Sequence, residues 1–322
     1  MPLHLHTASY RYPVENADRL DITAVGVARA LRAGQPAPGA AFAPSPGLLW
    51  PAKNHLDLVA ALQHRADAIT GTDAGAAVAV MAEQLVQKTD AAYQRLFLAE
   101  MRVSYGIHPE RWRDDEHGAH RRGVQAQHSS WEALLARDSV TLCCFCPRRE
   151  PGSGQRHTCH RGHVAEALTK LGAVDLGERE PPPPARQKKP ADLPPLEQLV
   201  AVSGARPPKA GASRADHELH RAILADVAET IAALPKGTVV IHGGARGVDE
   251  AAGKAAQKAG HGEIVYPSWF DAWGRAAPMI RNVYVATAPR LLAWPAPWSV
   301  GTPQAVAMAR KAGVEVDERR AG

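Results

Sequence analysis

Two stretches of the chain place anion-binding or reactive residue types at spacings that can do chemistry. The first is Thr238–Gly253, TVVIHGGARGVDEAAG. Thr238 to Ile241 have strand character, Gly243-Gly244-Ala245-Arg246-Gly247 make a glycine-rich bend, and Val248 to Ala252 open an alanine-rich helix. That order gathers backbone N–H groups beside the positive end of a helix dipole, which suits an anion, most often a phosphate. The glycines permit positive φ and let a ligand approach without meeting a Cβ. No Gly-Lys-Ser/Thr follows and the spacing is not GxGxxG, so the stretch is neither a P-loop nor a full dinucleotide fingerprint. An ordinary strand-to-helix turn uses the same residue types, so the neighbouring segments must decide.

The second stretch is Cys159-His160-Arg161-Gly162-His163 at the start of a helical segment. A thiol at a helix N-terminus beside histidine and arginine sits where the thiolate is favoured. Cys159, His160 and Arg161 are therefore the catalytic candidates, with His160 or His163 as base to a cysteine nucleophile. An anion site built from Arg161 and the helix dipole fits the same residues. No cofactor is expected. The set Cys143, Cys146, Cys159 and His163 has a spacing compatible with tetrahedral zinc. Against zinc, Cys143 and Cys146 fall in or just after a buried strand whose side chains alternate in direction. Buried thiols acting as small hydrophobes account for Cys143 and Cys144.

The elements that must position these residues read as alternating strands and helices. Leu3–Thr7 and Leu20–Thr23 read as strands, Val25–Arg32 as a helix, and Gln35–Pro51 as a loop rich in proline and glycine. Asp57–Ala68 and Ala74–Arg102 carry helical spacing, and Trp131–Arg137 makes a short helix. The apolar run Val140–Cys146 fits a buried strand of a parallel sheet, and Val164–Leu171 is the helix that follows. Gly177–Pro195, with four prolines at 181–184 and the cations Arg186, Lys188 and Lys189, can form neither helix nor ladder and reads as a semi-extended spacer. Beyond it come strands at Leu199–Arg206, Thr238–Ile241, Ile264–Pro267, Leu291–Trp294 and Val314–Val316, with helices between them. Five such segments alternating with helices argue a parallel, doubly wound sheet. The domain boundaries expected are residues 1–176, a linker over 177–195, and 196–322.

In a parallel sheet the strand ends that carry unusual residues share one edge. Ser203-Gly204-Ala205-Arg206, the Gly243–Gly247 bend, Tyr266–Asn282 and Ser299-Val300-Gly301-Thr302 would then converge. The N–H groups of Gly243, Gly244, Gly247, Gly301 and Thr302 are candidate phosphate donors. Arg206, Arg246 and Arg281 are candidate charge partners, because a guanidinium matches phosphate in bidentate fashion. Asp249 either accepts from a ligand hydroxyl or caps its own helix. Asn282 orients the ligand, and Ser203 and Gly204 line the first strand end. Trp269, four residues before Trp273, either stacks on a base or forms a core pair.

Together these elements, in this order over about Leu196–Asp317, resemble the SLOG superfamily. That Rossmann-like nucleotide-binding fold is shared by lonely-guy phosphoribohydrolases, the DNA-processing protein DprA and TIR-linked sensors. The closest likeness is to its YspA-like, YpsA-related branch, with a GGA-x-G-x-D turn, a Y-P-x-x-W segment, an R-N pair and a late G-T turn. The resemblance implies a pocket for a nucleotide or a nucleoside-diphosphate-ribose-type ligand, with N-glycosidic or phosphoribosyl chemistry, or ligand sensing. One departure bears on turnover: where the phosphoribohydrolases carry a catalytic glutamate, this chain has Ala305. Over residues 1–175, the strand ending in cysteine and the Cys159-His160-Arg161 turn resemble the DUF four-eight-eight family, with Thr7-Ala8-Ser9-Tyr10 and Ala43-Pro44 fitting as well. That family has no settled reaction. The resemblances together imply two Rossmann-like α/β domains with mainly parallel sheets joined by the proline-rich linker.

Composition bounds the partners. The 322 residues have a formal net charge of +5 with 22% charged and 45% hydrophobic residues, ordinary for a globular protein and long enough for two cores. The start MPLHLHTASYRY lacks a basic-then-apolar leader, and no run of 18 apolar residues occurs, so a cytoplasmic setting without a membrane partner is expected. The principal reading is a protein that binds a nucleotide-type small molecule; if it is an enzyme, it is a nucleotide-directed hydrolase or transferase. The alternative is a DprA-like protein that binds single-stranded nucleic acid, since the same turn and the basic charge suit a phosphate backbone.

Overall fold

Strands covered on both faces read as near-continuous apolar runs, and the two parallel sheets among the described residues follow that pattern at their centres, with Thr141 and Ser203 as buried polar exceptions. The computed structural model describes residues 2–9, 24–26, 46–105, 128–144, 160–178 and 193–319. The described chain separates into two compact units. The first comprises residues 1–52 and 90–189, the second residues 53–89 and 190–322. The reading by linear order put 53–89 in the first domain. Their apolar faces instead cover the second sheet, a long-range pairing that a boundary drawn along the chain does not see.

The first unit holds a parallel sheet of four strands, β1 (His4–Ser9), β2 (Ala24–Gly26), β3 (Ser139–Cys144) and β4 (Val174–Glu178), in the order β2-β3-β1-β4. Leu5, Val140 and Leu142 are buried at its centre. Three local expectations give way here. Val25 lies in β2 rather than a helix, because pairing with Leu142 of β3 outweighs local spacing. Val174–Glu178 is an edge strand that runs two residues into the stretch expected as linker, and with Val174 and Leu176 exposed it has no burial pattern to announce it. Helix α1 (Pro46–Ala68) begins inside the stretch expected as loop and carries Pro51 within it. Pro51 removes one N–H near the helix start, and the buried Leu48 and Ala52 hold that turn.

Helix α2 (Asp73–Tyr105) follows, then α3 (His128–Leu135) and α4 (His160–Lys170). The second unit has five parallel strands: β5 (Leu199–Gly204), β6 (Val239–His242), β7 (Gly262–Val265), β8 (Arg290–Trp294) and β9 (Glu315–Glu318). Their order is β7-β6-β5-β8-β9. The chain starts at the centre, winds outward to β7, returns to β8 and winds outward again. The reversal lies between β5 and β8, where ligands of open α/β sheets bind at the carboxyl ends.

Alternation along β5 sorts the two faces. Val200 and Val202 pack with Ile223, Val227 and Ile231 of α5 (Arg214–Ala232) and with Val248, Ala252 and Ala256 of α6 (Val248–Ala259). Leu199 and Ala201 face Leu58, Leu62, Val78 and Leu85 of α1 and α2, together with Ala305 and Ala309 of α9 (Gly301–Lys311). Two short helices, α7 (Phe270–Trp273) and α8 (Ala277–Arg281), carry the chain over the carboxyl edge between β7 and β8. Among the described residues no helix is long and apolar enough to cross a membrane.

Candidate functional site

The glycine bend after β6 closes on itself. Asp249, in the first turn of α6, accepts at Oδ2 from the N–H groups of Gly243 and Ala245, at 3.2 Å each. Gly244 N–H donates to Nδ1 of His242 at 3.0 Å. Three consecutive donors of the bend are therefore committed inside the protein, which corrects the expectation that Gly243 and Gly244 offer theirs to phosphate. The cause is Asp249, which takes the holding role and anchors the bend ahead of its own helix. The N–H groups of Arg246 and Gly247 have no acceptor among the described residues. Gly247 has φ +98°, and a Cβ there would run into the Ala205 carbonyl, so glycine is required.

Onto this bend lies Arg281. A Cβ at Gly243 would coincide with its guanidinium, so the missing side chain is the seat of the arginine. Arg281 is 4% exposed and its Nε and Nη1 have no hydrogen-bond partner. Nη1 stands 3.6 Å from Asp249 Oδ2, an ion pair without a hydrogen bond. Beneath it the guanidinium carbon lies 5.3 Å from the centre of the Tyr284 ring, a cation–π arrangement. The Tyr284 hydroxyl donates to the Val202 carbonyl. Burial first, then the Asp249 charge, push that hydroxyl above the usual tyrosine range, so it stays a neutral donor.

Asn282, the next residue, reaches the turn after β8: its Nδ2 donates to the Gly301 carbonyl at 3.4 Å. Arg281 and Asn282 thus join the ends of β6 and β8. Thr302 is buried in the first turn of α9, a helix with no side-chain cap at its N-terminus. The Gly301 and Thr302 N–H groups have no acceptor among the described residues. Ser203 is buried at the end of β5, beside the Tyr284 hydroxyl. The structure therefore brings together Ser203, Gly243, Gly247, Asp249, Arg281, Asn282, Gly301 and Thr302 at one sheet edge.

Other expected residues have different work. Gly204 lets Val248 of α6 approach β5, since a Cβ would collide with that valine. Arg206 is exposed, and its carbonyl accepts from Trp298 Nε1 at 2.9 Å. Arg246 is exposed at the bend. Trp269 is buried, edge-on to Trp273 at 5.5 Å and tilted against His55 at 5.6 Å. Of its two expected uses the core pair describes it, because the ring is 2% exposed and packs with Trp273 and His55. Ala305 is fully buried in the core.

Cys146 and Cys159 lie outside the described residues, as do the side chains of Cys143, His160, Arg161 and His163. Among the described residues no group of three or more His, Cys, Asp or Glu could hold a metal ion.

The sequence reading passed over three residues that build the site. His242 ends β6; its Nε2 donates to Glu263 Oε1 at 2.8 Å, and Nδ1 accepts from Gly244, so the ring is held as the Nε2–H tautomer. Glu263 also accepts from Gln257 at 2.8 Å, and that bond first, then His242, hold its carboxyl below the usual range despite burial. The third is Tyr284. A polar residue at the end of an apolar strand marks His242, and helical spacing from Arg281 marks Tyr284. Glu263 on an edge strand carries no such signal. Comparison of the chain with protein-family models, with curated proteins and with solved structures finds no match.

Proposed function

We propose that the second unit binds a phosphate-bearing ligand of the nucleotide or nucleoside-diphosphate-ribose type at the carboxyl edge of its sheet. The observation that carries this reading is Arg281: a buried guanidinium, seated on Gly243, with two nitrogens, Nε and Nη1, unpaired. Leaving such donors unpaired is unfavourable by about 1–3 kcal/mol each or more, so a site that keeps them is built for an acceptor. The N–H groups of Gly301 and Thr302, at the uncapped start of α9, supply further donors beside Asn282. The resemblance to the SLOG superfamily names the ligand class. Ala305 offers no carboxylate for N-glycosidic cleavage, so binding is the activity we assign to this unit.

The test is calorimetry of the full chain and of Arg281→Met against mononucleotides, NAD and ADP-ribose. The wild type should bind at least one of them, and Arg281→Met should lose that binding by about a hundredfold or more. Its stability should fall by about 3–5 kcal/mol, because Asp249 then keeps a buried charge without its partner, so the two proteins are compared at a temperature where circular dichroism shows both folded. Absence of binding by the wild type at millimolar ligand, or unchanged binding by the variant, would overturn the assignment.

A further inference from the structure

Asp249 and Arg281 are both buried, at 5% and 4% exposure, and their charges cancel 3.6 Å apart. The pair is incomplete on one side only. Asp249 Oδ2 takes two backbone N–H groups, whereas Nε and Nη1 of Arg281 take nothing. An anion that satisfies the guanidinium must therefore come close to the Asp249 carboxylate, which stays charged beside it. The N–H groups of Gly243, Gly244 and Ala245, which would otherwise offset a second negative charge, are already bound. Those of Arg246, Gly247, Gly301 and Thr302 remain as neutral dipoles. Arg206 and Arg246 are exposed, where water and salt weaken their pull.

Resting on the nucleotide-type reading above, we propose that Asp249 is a specificity-determining residue. It makes the site select a phosphate that carries one negative charge, as a phosphodiester does, over a dianionic phosphate monoester. At a few ångströms, in surroundings of low effective dielectric, each negative charge on the ligand is repelled by Asp249 while a single guanidinium serves both, so the second charge of a dianion adds repulsion with no further cation to meet it.

The matched probes are the 5′-monophosphates of adenosine, guanosine, cytidine and uridine and their 5′-monomethyl esters, which differ by one charge. Calorimetry at about pH 7.5, above the second phosphate ionisation near 6, compares each pair on wild type and Asp249→Asn. Asparagine keeps one side-chain oxygen for Gly243 and Ala245 while removing the charge. The wild type should favour the ester on the order of tenfold, equivalent to about 1.4 kcal/mol, and Asp249→Asn should abolish or reverse that preference. On the wild type alone, lowering the pH to about 5.5 should bring the monophosphate close to its ester, because it then carries one charge. Equal or tighter monophosphate binding by the wild type at the higher pH overturns the selection while leaving the site. So does an ester preference that survives in Asp249→Asn or persists at the lower pH. Failure of every nucleotide and ester to bind removes the binding site itself, and this inference with it.

Discussion

The turns after β6 and β8 leave the same edge of the same sheet, yet they use their backbone donors in opposite ways. The turn after β6 is the one that looks like a phosphate loop, and its N–H groups at 243, 244 and 245 are bound by Asp249 and His242. The turn after β8, Ser299-Val300-Gly301-Thr302, has little glycine, yet Gly301 and Thr302 keep their N–H groups without a side-chain cap. Gly243 and Gly244 of the first turn therefore serve shape rather than donation to a ligand. Gly243 makes the seat for Arg281, and Gly247 allows the bend to pass the Ala205 carbonyl. A glycine-rich sequence reports that something comes close to the backbone; here the visitor is the protein's own arginine.

Alanine substitutions break the comparison most sharply. Gly243→Ala puts a methyl group where the Arg281 guanidinium lies, so the arginine must leave its seat. We expect loss of about 1–3 kcal/mol of stability from overpacking, together with loss of nucleotide binding. Gly301→Ala meets nothing nearer than Asn282 Nδ2 at 3.9 Å and lies in the first turn of a helix. Its stability should stay within about 0.5 kcal/mol of wild type or rise slightly. Urea denaturation of the two variants reads the difference. Equal effects would mean that the two turns do not divide their work in this way.

The parallel order of the second sheet was legible because β5, β6 and β8 are continuous apolar runs that can only be buried on both faces. The convergence of Arg281, Asn282 and Gly301 followed from that order. The commitment of the Gly243 and Gly244 donors was not legible. It depends on the Asp249 rotamer, and the residue types allow both a capping and a ligand-binding aspartate. The cover supplied by residues 53–89 was hidden for another reason. Helical spacing shows that Leu58, Leu62, Val78 and Leu85 face a core, but not which sheet lies there. Trp269 and Trp273 stood at a spacing compatible with either use, and His55, far away in sequence, is what fills the space beside them.

The smallest expected effect concerns what stiffens the first turn. Glu263 fixes the His242 ring from Nε2, and the ring in turn accepts from Gly244. Gly253 of α6 leaves the room for this pair, since a Cβ there would press on both side chains. The Glu263 carboxyl is held below its ordinary value, chiefly by Gln257 and then by His242. A depressed carboxylate stabilises the fold fully above its unfolded value, near 4.3, and loses that contribution as the pH falls through the lower folded value. Glu263→Gln should therefore be less stable than wild type at about pH 7 and at about pH 5.5, and the gap should close at about pH 3. Urea midpoints at the three pH values measure it. A gap that persists undiminished in acid would mean that the glutamate acts through its shape and not its charge, and the stiffening of the first turn would then be a matter of packing alone.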